Sequence, residues 1–152
     1  MKKLMTIALF ALLSTTAFAQ KKMTQEIIDE HGTKIFDAPK AEIFALTKNV
    51  LESSGYEIDF ENAEKGKIIT KRKMIGASGV AVAPGAAQYR NAYRGYTATI
   101  EPVSPERTKL VLTPKVWMGE ADVSADRVWV IKGKVGEIQL WQNFFNAMLE
   151  RM

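Results

Sequence analysis

The chain predicts an α+β domain, an antiparallel sheet of four to five strands packed on helices, with no second domain beside it. Three observations carry this. Ala38–Lys73 reads as a helix, a glycine stop, a strand, a turn and a returning strand. Gln88–Glu101 and Thr108–Trp117 are two further strand-like runs with apolar residues at alternate positions. Glu137–Met152 closes the chain with apolar residues at helical spacing. Runs of adjacent strands with a helix at each end favour an antiparallel sheet with its helices on one face.

In chain order, Met1–Ala19 has Lys2 and Lys3, an apolar run from Leu4 to Leu13, and Ala17-Phe18-Ala19. A basic start, a short apolar stretch and small residues before the cut describe a secretory signal peptide, with cleavage expected before Gln20. The apolar run is short for a bilayer span, so an uncleaved anchor is the lesser alternative. The expected product is a soluble periplasmic or secreted protein. With no cysteine in the chain, a bacterial lipoprotein anchor, disulfides, thiolate metal sites and cysteine nucleophiles are not expected. The formal charge of +4 includes Lys2 and Lys3, so the exported chain is too mildly basic to argue for nucleic acid.

Residues 20–32 form a polar leading segment with a short helical turn within Met23–Glu30, and residues 33–152 form the domain. Thr33–Asp37 reads as a first strand. Asp37 is expected to cap the following helix and Pro39 to occupy its first turn. Ile43, Phe44, Leu46, Val50 and Leu51 make its apolar stripe, and Gly55 its stop. Tyr56–Glu61 alternates apolar and acidic residues. A hairpin closed by Asn62–Gly66 would set Glu61 opposite Lys67, Phe60 opposite Ile68, Ile58 opposite Thr70 and Glu57 opposite Lys71. Glu57, Asp59 and Glu61 could be read as a metal or acid/base cluster, but their lysine neighbours favour a solvated face.

Ile75–Ala87 is small, apolar and rich in glycine. It lacks the Gly-Lys-Ser/Thr ending of a phosphate-binding loop and the spacing of a dinucleotide fingerprint. The expectation is a long mobile loop between strands. Gly76, Gly79, Val80, Val82, Pro84 and Gly85 are its candidate partner-binding residues, because exposed valines serve no solvated linker. Gly95 is expected to mark a bulge, and Pro114 to put its missing donor at an edge or a distortion. Arg127–Lys134 is ambiguous between strand and irregular chain. In the last helix Ile138, Trp141, Phe144, Phe145, Met148 and Leu149 share a face. They read as core, with Trp141, Phe144 and Phe145 as candidate walls of a ligand pocket.

The chemical inventory is short. His31, the one histidine, has only carboxylates beside it, which is neither a metal-ligand set nor a nucleophile–base pair. Lys65, Lys67, Lys71, Arg72, Lys73, Arg90 and Arg94 could form an anion patch, although alternation and the Glu pairings predict a mixed surface. No catalytic residue, metal site or cofactor is expected.

One resemblance adds to this. Asp37-Ala38-Pro39 leading into a helix that ends Ser54-Gly55-Tyr56-Glu57-Ile58, then Lys65-Gly66-Lys67-Ile68-Ile69-Thr70, resembles the BamC-like helix-grip domains of bacterial envelope proteins. The resemblance covers roughly Thr33–Trp117 and the last helix. It implies a helix-grip-like fold and a non-enzymatic binding or assembly module, and it transfers no catalytic residues. The function expected is therefore a periplasmic interaction or assembly-accessory module whose partner is an envelope protein or a membrane surface. The alternative is a small apolar-ligand carrier with a pocket between the sheet and the C-terminal helix.

Overall fold

The computed structural model describes residues 20–125, 128–130 and 136–152. The expected signal peptide and residues 131–134 lie outside the described residues. Three helices are described, α1 (Gln25–His31), α2 (Lys40–Ser53) and α3 (Glu137–Leu149). The main sheet runs β2 (Thr33–Phe36), β7 (Arg107–Met118), β6 (Ala86–Ser104), β4 (Lys67–Thr70), β3 (Ile58–Asn62), antiparallel throughout. β5 (Lys73–Ala83) continues the line of β4 along β6, and β8 (Ala121–Asp122) adds to β7, which makes seven strands. A separate pair joins β1 (Gln20–Lys22) to β9 (Val128–Val130), so part of the ambiguous Arg127–Lys134 run is strand. The α+β class and the five-strand path follow the alternation read above.

α2 and α3 cover one face of the sheet. Ile43, Val50 and Leu51 meet Trp141, Phe145 and Met148 over Ile68, Ala98, Ile100, Leu110 and Leu112, all buried. Trp141 is fully enclosed, donates its indole N–H to the Leu112 carbonyl at 2.9 Å, and lies against Gly32, where a side chain would have no room. Leu149, expected on the same face, is 47% exposed, while its neighbour Met148 is fully buried, so the buried stripe of α3 ends at Met148.

Pro39 is the N-cap of α2, not Asp37. Asp37 lies two residues before the cap, and it pairs instead with Arg107 at 3.1 Å. Ser54 ends α2 and Gly55 follows with φ +82°, as a glycine stop should. Gly66 has φ +63° and packs so tightly that an added Cβ would collide with the Ile100 carbonyl oxygen.

The expected β3–β4 register holds at Ile58 opposite Thr70 and at Glu57 beside Lys71, then slips. A bulge between Ile58 and Phe60 sets Phe60 opposite Ile69 and Glu61 opposite Ile68. Phe60 is consequently 44% exposed, not buried against Ile68, and Glu61 reaches Lys48 of α2 at 2.6 Å. One extra residue moves every later side chain to the other face.

Gly95 marks no bulge: it pairs in step with Lys115. It is a close approach, where a Cβ would lie 3.1 Å from Thr70 Oγ1 and 3.2 Å from the Trp117 ring. Here β6 exchanges β4 for β5 as its neighbour. Pro114 does sit where no donor is needed. The N–H groups of Leu112 and Val116 point to the outer edge of β7, to Gly32 O and to Ser124 Oγ. By alternation Pro114 falls between them, in the gap left by β2 and β8.

Candidate functional site

The stretch expected to be a loop is a β-hairpin. Gly76, Gly79, Val80 and Val82 lie within β5, and Pro84-Gly85 form its turn, with Gly85 at φ +82°. Ala77 pairs with Asn91, Gly79 with Tyr89, and Ala83 with Ala86. Small β-branched and alanine residues around a Pro-Gly turn favour this over a loop once β6 supplies a partner edge. β6–β7 pairing stops at Ala92 opposite Met118, so the ribbon projects beyond the body of the sheet. Between Ala77 and Arg90, among the described residues, neither of its strands has a second neighbour. Met74–Tyr89 carries no charged residue, and no acidic residue occurs from Lys65 to Ile100. Met74, Ile75 and Tyr89 are exposed, Tyr89 by 74%.

Beneath the base of the ribbon lies a cleft of about 300 Å³ between α2, α3 and the inner face of the sheet. Leu51, Leu112, Leu140 and Phe144 form its apolar walls, and Lys73 and Asn143 stand at its rim. Of the three aromatic residues expected to wall a pocket, the structure places Phe144 there. Trp141 and Phe145 turn into the core instead, Phe145 with its ring 6.3 Å from that of Phe36. The Lys73 ammonium bonds the Ser54 carbonyl at 2.9 Å and lies 5.2 Å from the centre of the Tyr56 ring. Tyr56 in turn meets Tyr96 edge-on at 5.2 Å.

Behind Tyr96 is a buried polar cluster. Glu137, the first residue of α3, is fully enclosed, pairs with Arg94 at 2.8 Å, and accepts from the Tyr96 hydroxyl at 3.3 Å. Burial pushes the Glu137 carboxyl up from its ordinary value, opposed by the Arg94 charge and the Tyr96 hydrogen bond. Burial, followed by the Glu137 charge, drives the Tyr96 phenol upward as well, which keeps it a hydrogen-bond donor. These groups tie the start of α3 to β6.

No protein-family model and no curated protein matches the chain. Among solved structures, a DUF4468 family protein from Bacteroides ovatus is similar at 13% identity with a TM-score of 0.44. The match covers 78% of this chain and 82% of that one.

The other candidates are dispersed. Glu57, Asp59 and Glu61 do not converge: Glu57 meets Lys71, Glu61 meets Lys48, and Asp59 borders a groove on the opposite, outer face. That groove, of about 470 Å³, is larger than the cleft and is lined by Trp117, Lys115, Lys71, Arg72 and Glu120. It lies open, and its charges are of both signs, with one guanidinium nitrogen of Arg72 donating to both Glu120 oxygens at 2.9 and 2.7 Å. Lys71, Arg72 and Arg94 all have carboxylate partners, so the basic run does not converge on one patch. His31 is half-buried beside Glu30 at 3.5 Å. Among the described residues no group of His, Asp and Glu is arranged to hold a metal ion. Sequence reasoning passed over Glu137, and it counted Lys73 among the basic residues of an anion patch rather than at the rim of a cleft. Helical periodicity puts Glu137 on the same face as Trp141 and Phe144, and that was the available signal.

Proposed function

We propose that the protein is a non-enzymatic interaction module of the bacterial cell envelope and that the β5–β6 ribbon is its contact element. The observation that carries this is a projecting two-stranded ribbon with both backbone edges unpaired among the described residues and no charge between Met74 and Tyr89. Exposed edge strands are ordinarily guarded by lysine, proline or a covering element. This one has its only proline at the turn. A partner that adds a strand would satisfy the free N–H and C=O groups and would meet no charge along the edge. Membrane insertion supports the reading less well, since hydrocarbon offers nothing to an open sheet edge. The BamC-like resemblance and the signal-peptide pattern add to the assignment of an envelope role.

The test uses a photo-crosslinking residue at Gly85 or Tyr89, with a control at Glu106 in the turn between β6 and β7, in intact cells. Cross-links to a protein from the ribbon positions and not from Glu106 are the expected result. Cross-links to phospholipid would move the contact to the membrane surface, and equal capture from all three positions would refute the ribbon as the contact element. Intact-mass measurement of the exported chain should show Gln20 as its first residue. Retention of residues 1–19 would refute the proposed export.

A further inference from the structure

The cleft beside Phe144 has the make-up of a small-molecule site, and we infer that it takes a small aliphatic monoanion, a medium-length acyl carboxylate. This goes beyond the ribbon reading and does not depend on it. The volume of about 300 Å³ sits at the low end of small-molecule sites, which run from roughly 300 to 1,000 Å³. A slender chain suits it better than a fused-ring ligand. Leu51, Leu112, Leu140 and Phe144 supply apolar contact along its length.

Charge decides the class. Lys73 is the one ionic residue among the described lining residues, and no carboxylate shares the cleft with it. Its ammonium has three N–H donors. One goes to the Ser54 carbonyl and the Tyr56 ring face receives the cation, which leaves donor capacity at the mouth. A neutral apolar ligand would strip water from Lys73 and return nothing, whereas a carboxylate head would replace that water with a charge-assisted bond. Asn143 is exposed at the rim. Its amide oxygen is occupied by Gln139, so its N–H₂ group remains to donate to the same head. The Tyr96 hydroxyl is committed to Glu137 and takes no part.

The experiment titrates the purified chain with sodium decanoate and, separately, with decanol, following methyl resonances and heat. Decanoate should bind saturably at one site and shift the methyls of Leu51, Leu112 and Leu140. Lys73→Met should weaken decanoate about fivefold and leave decanol unchanged. Ala147→Phe, filling the cleft, should abolish both. Should that variant not fold, Asn143→Trp at the exposed rim carries the same test. Unsaturable shifts spread over the outer face of the sheet, or an unaltered decanoate affinity in Lys73→Met, would overturn the inference and leave Lys73 as a cap on the end of α2 only.

Discussion

Removing Glu137 should reveal the energy stored at the start of α3. Its side chain is fully enclosed and Arg94 is 16% exposed, with 2.8 Å between them. Truncating one member of a buried ion pair costs about 3–5 kcal/mol, since the other charge stays in low dielectric. Arg94 keeps some contact with water, so Glu137→Ala should fall at the lower end, about 3 kcal/mol. Arg94→Met combined with Glu137→Leu replaces both charges by apolar groups of similar size and should recover most of that loss. The assay is urea unfolding of Glu137→Ala and, as a double-mutant cycle, of Glu137→Leu, Arg94→Met and the two combined. The pH dependence has a defined sign. Burial raises the Glu137 carboxyl above 4.5, its ordinary value. The folded state therefore holds that proton more tightly, and the stability so gained is present below 4.5 and lost as pH rises through the folded value. Glu137→Gln should remove this slope. A cost below about 1 kcal/mol for Glu137→Ala, or strictly additive singles, would refute the reading of a coupled buried pair.

Trp141→Ala should lower stability by about 3–5 kcal/mol, the usual loss for a large aromatic cut from a core, and the urea midpoint reports it. Gly66→Ala should cost more than about 2 kcal/mol, because a left-handed backbone and a collision with a main-chain oxygen act together; a thermal midpoint within two degrees or so of wild type would contradict this. Joining Gly76 to Ala92 through an Asn-Gly turn, which deletes the ribbon, should change stability by less than about 0.5 kcal/mol. In the intact chain the ribbon amides should exchange quickly while those of Ile100 and Leu112 stay protected, and equal protection would make the ribbon part of the folded core.

Much of the fold was legible because burial and periodicity agree over most of its length. In β7 the buried residues Thr108, Leu110, Leu112, Pro114 and Val116 alternate without a break, and β6 does the same through Tyr96, Ala98 and Ile100. A strand buried on one face must be written that way. The ribbon was not legible as strand. Alternation marks a strand only where large apolar and polar residues take turns, and in the sequence of Gly76–Ala87 they do not. Its residues are small on both sides, so the pattern carries no contrast. What does make it strand is a partner edge across the Pro84-Gly85 turn, from Ala83 opposite Ala86 to Gly76 opposite Ala92.

The candidate site was less legible than the fold, and the reason is local. Alternation assigns a face only while the strand runs unbroken. It fails at the bulge beside Asp59, where Phe60 turns out and Glu61 turns toward α2. It fails again at Lys71-Arg72, between β4 and β5, after which Lys73 folds back over Tyr56 and the end of α2. Read as one continuous strand, Lys67–Lys73 becomes an ordinary solvated edge. Broken at residue 71, it sets a cation at the mouth of an apolar cleft and launches an unguarded ribbon from the same point. Within β3–β5, sequence pattern and structure part company at these two irregularities. One of them positions Lys73, which lines the cleft and begins β5, and a departure from local rules is expected where it serves a site.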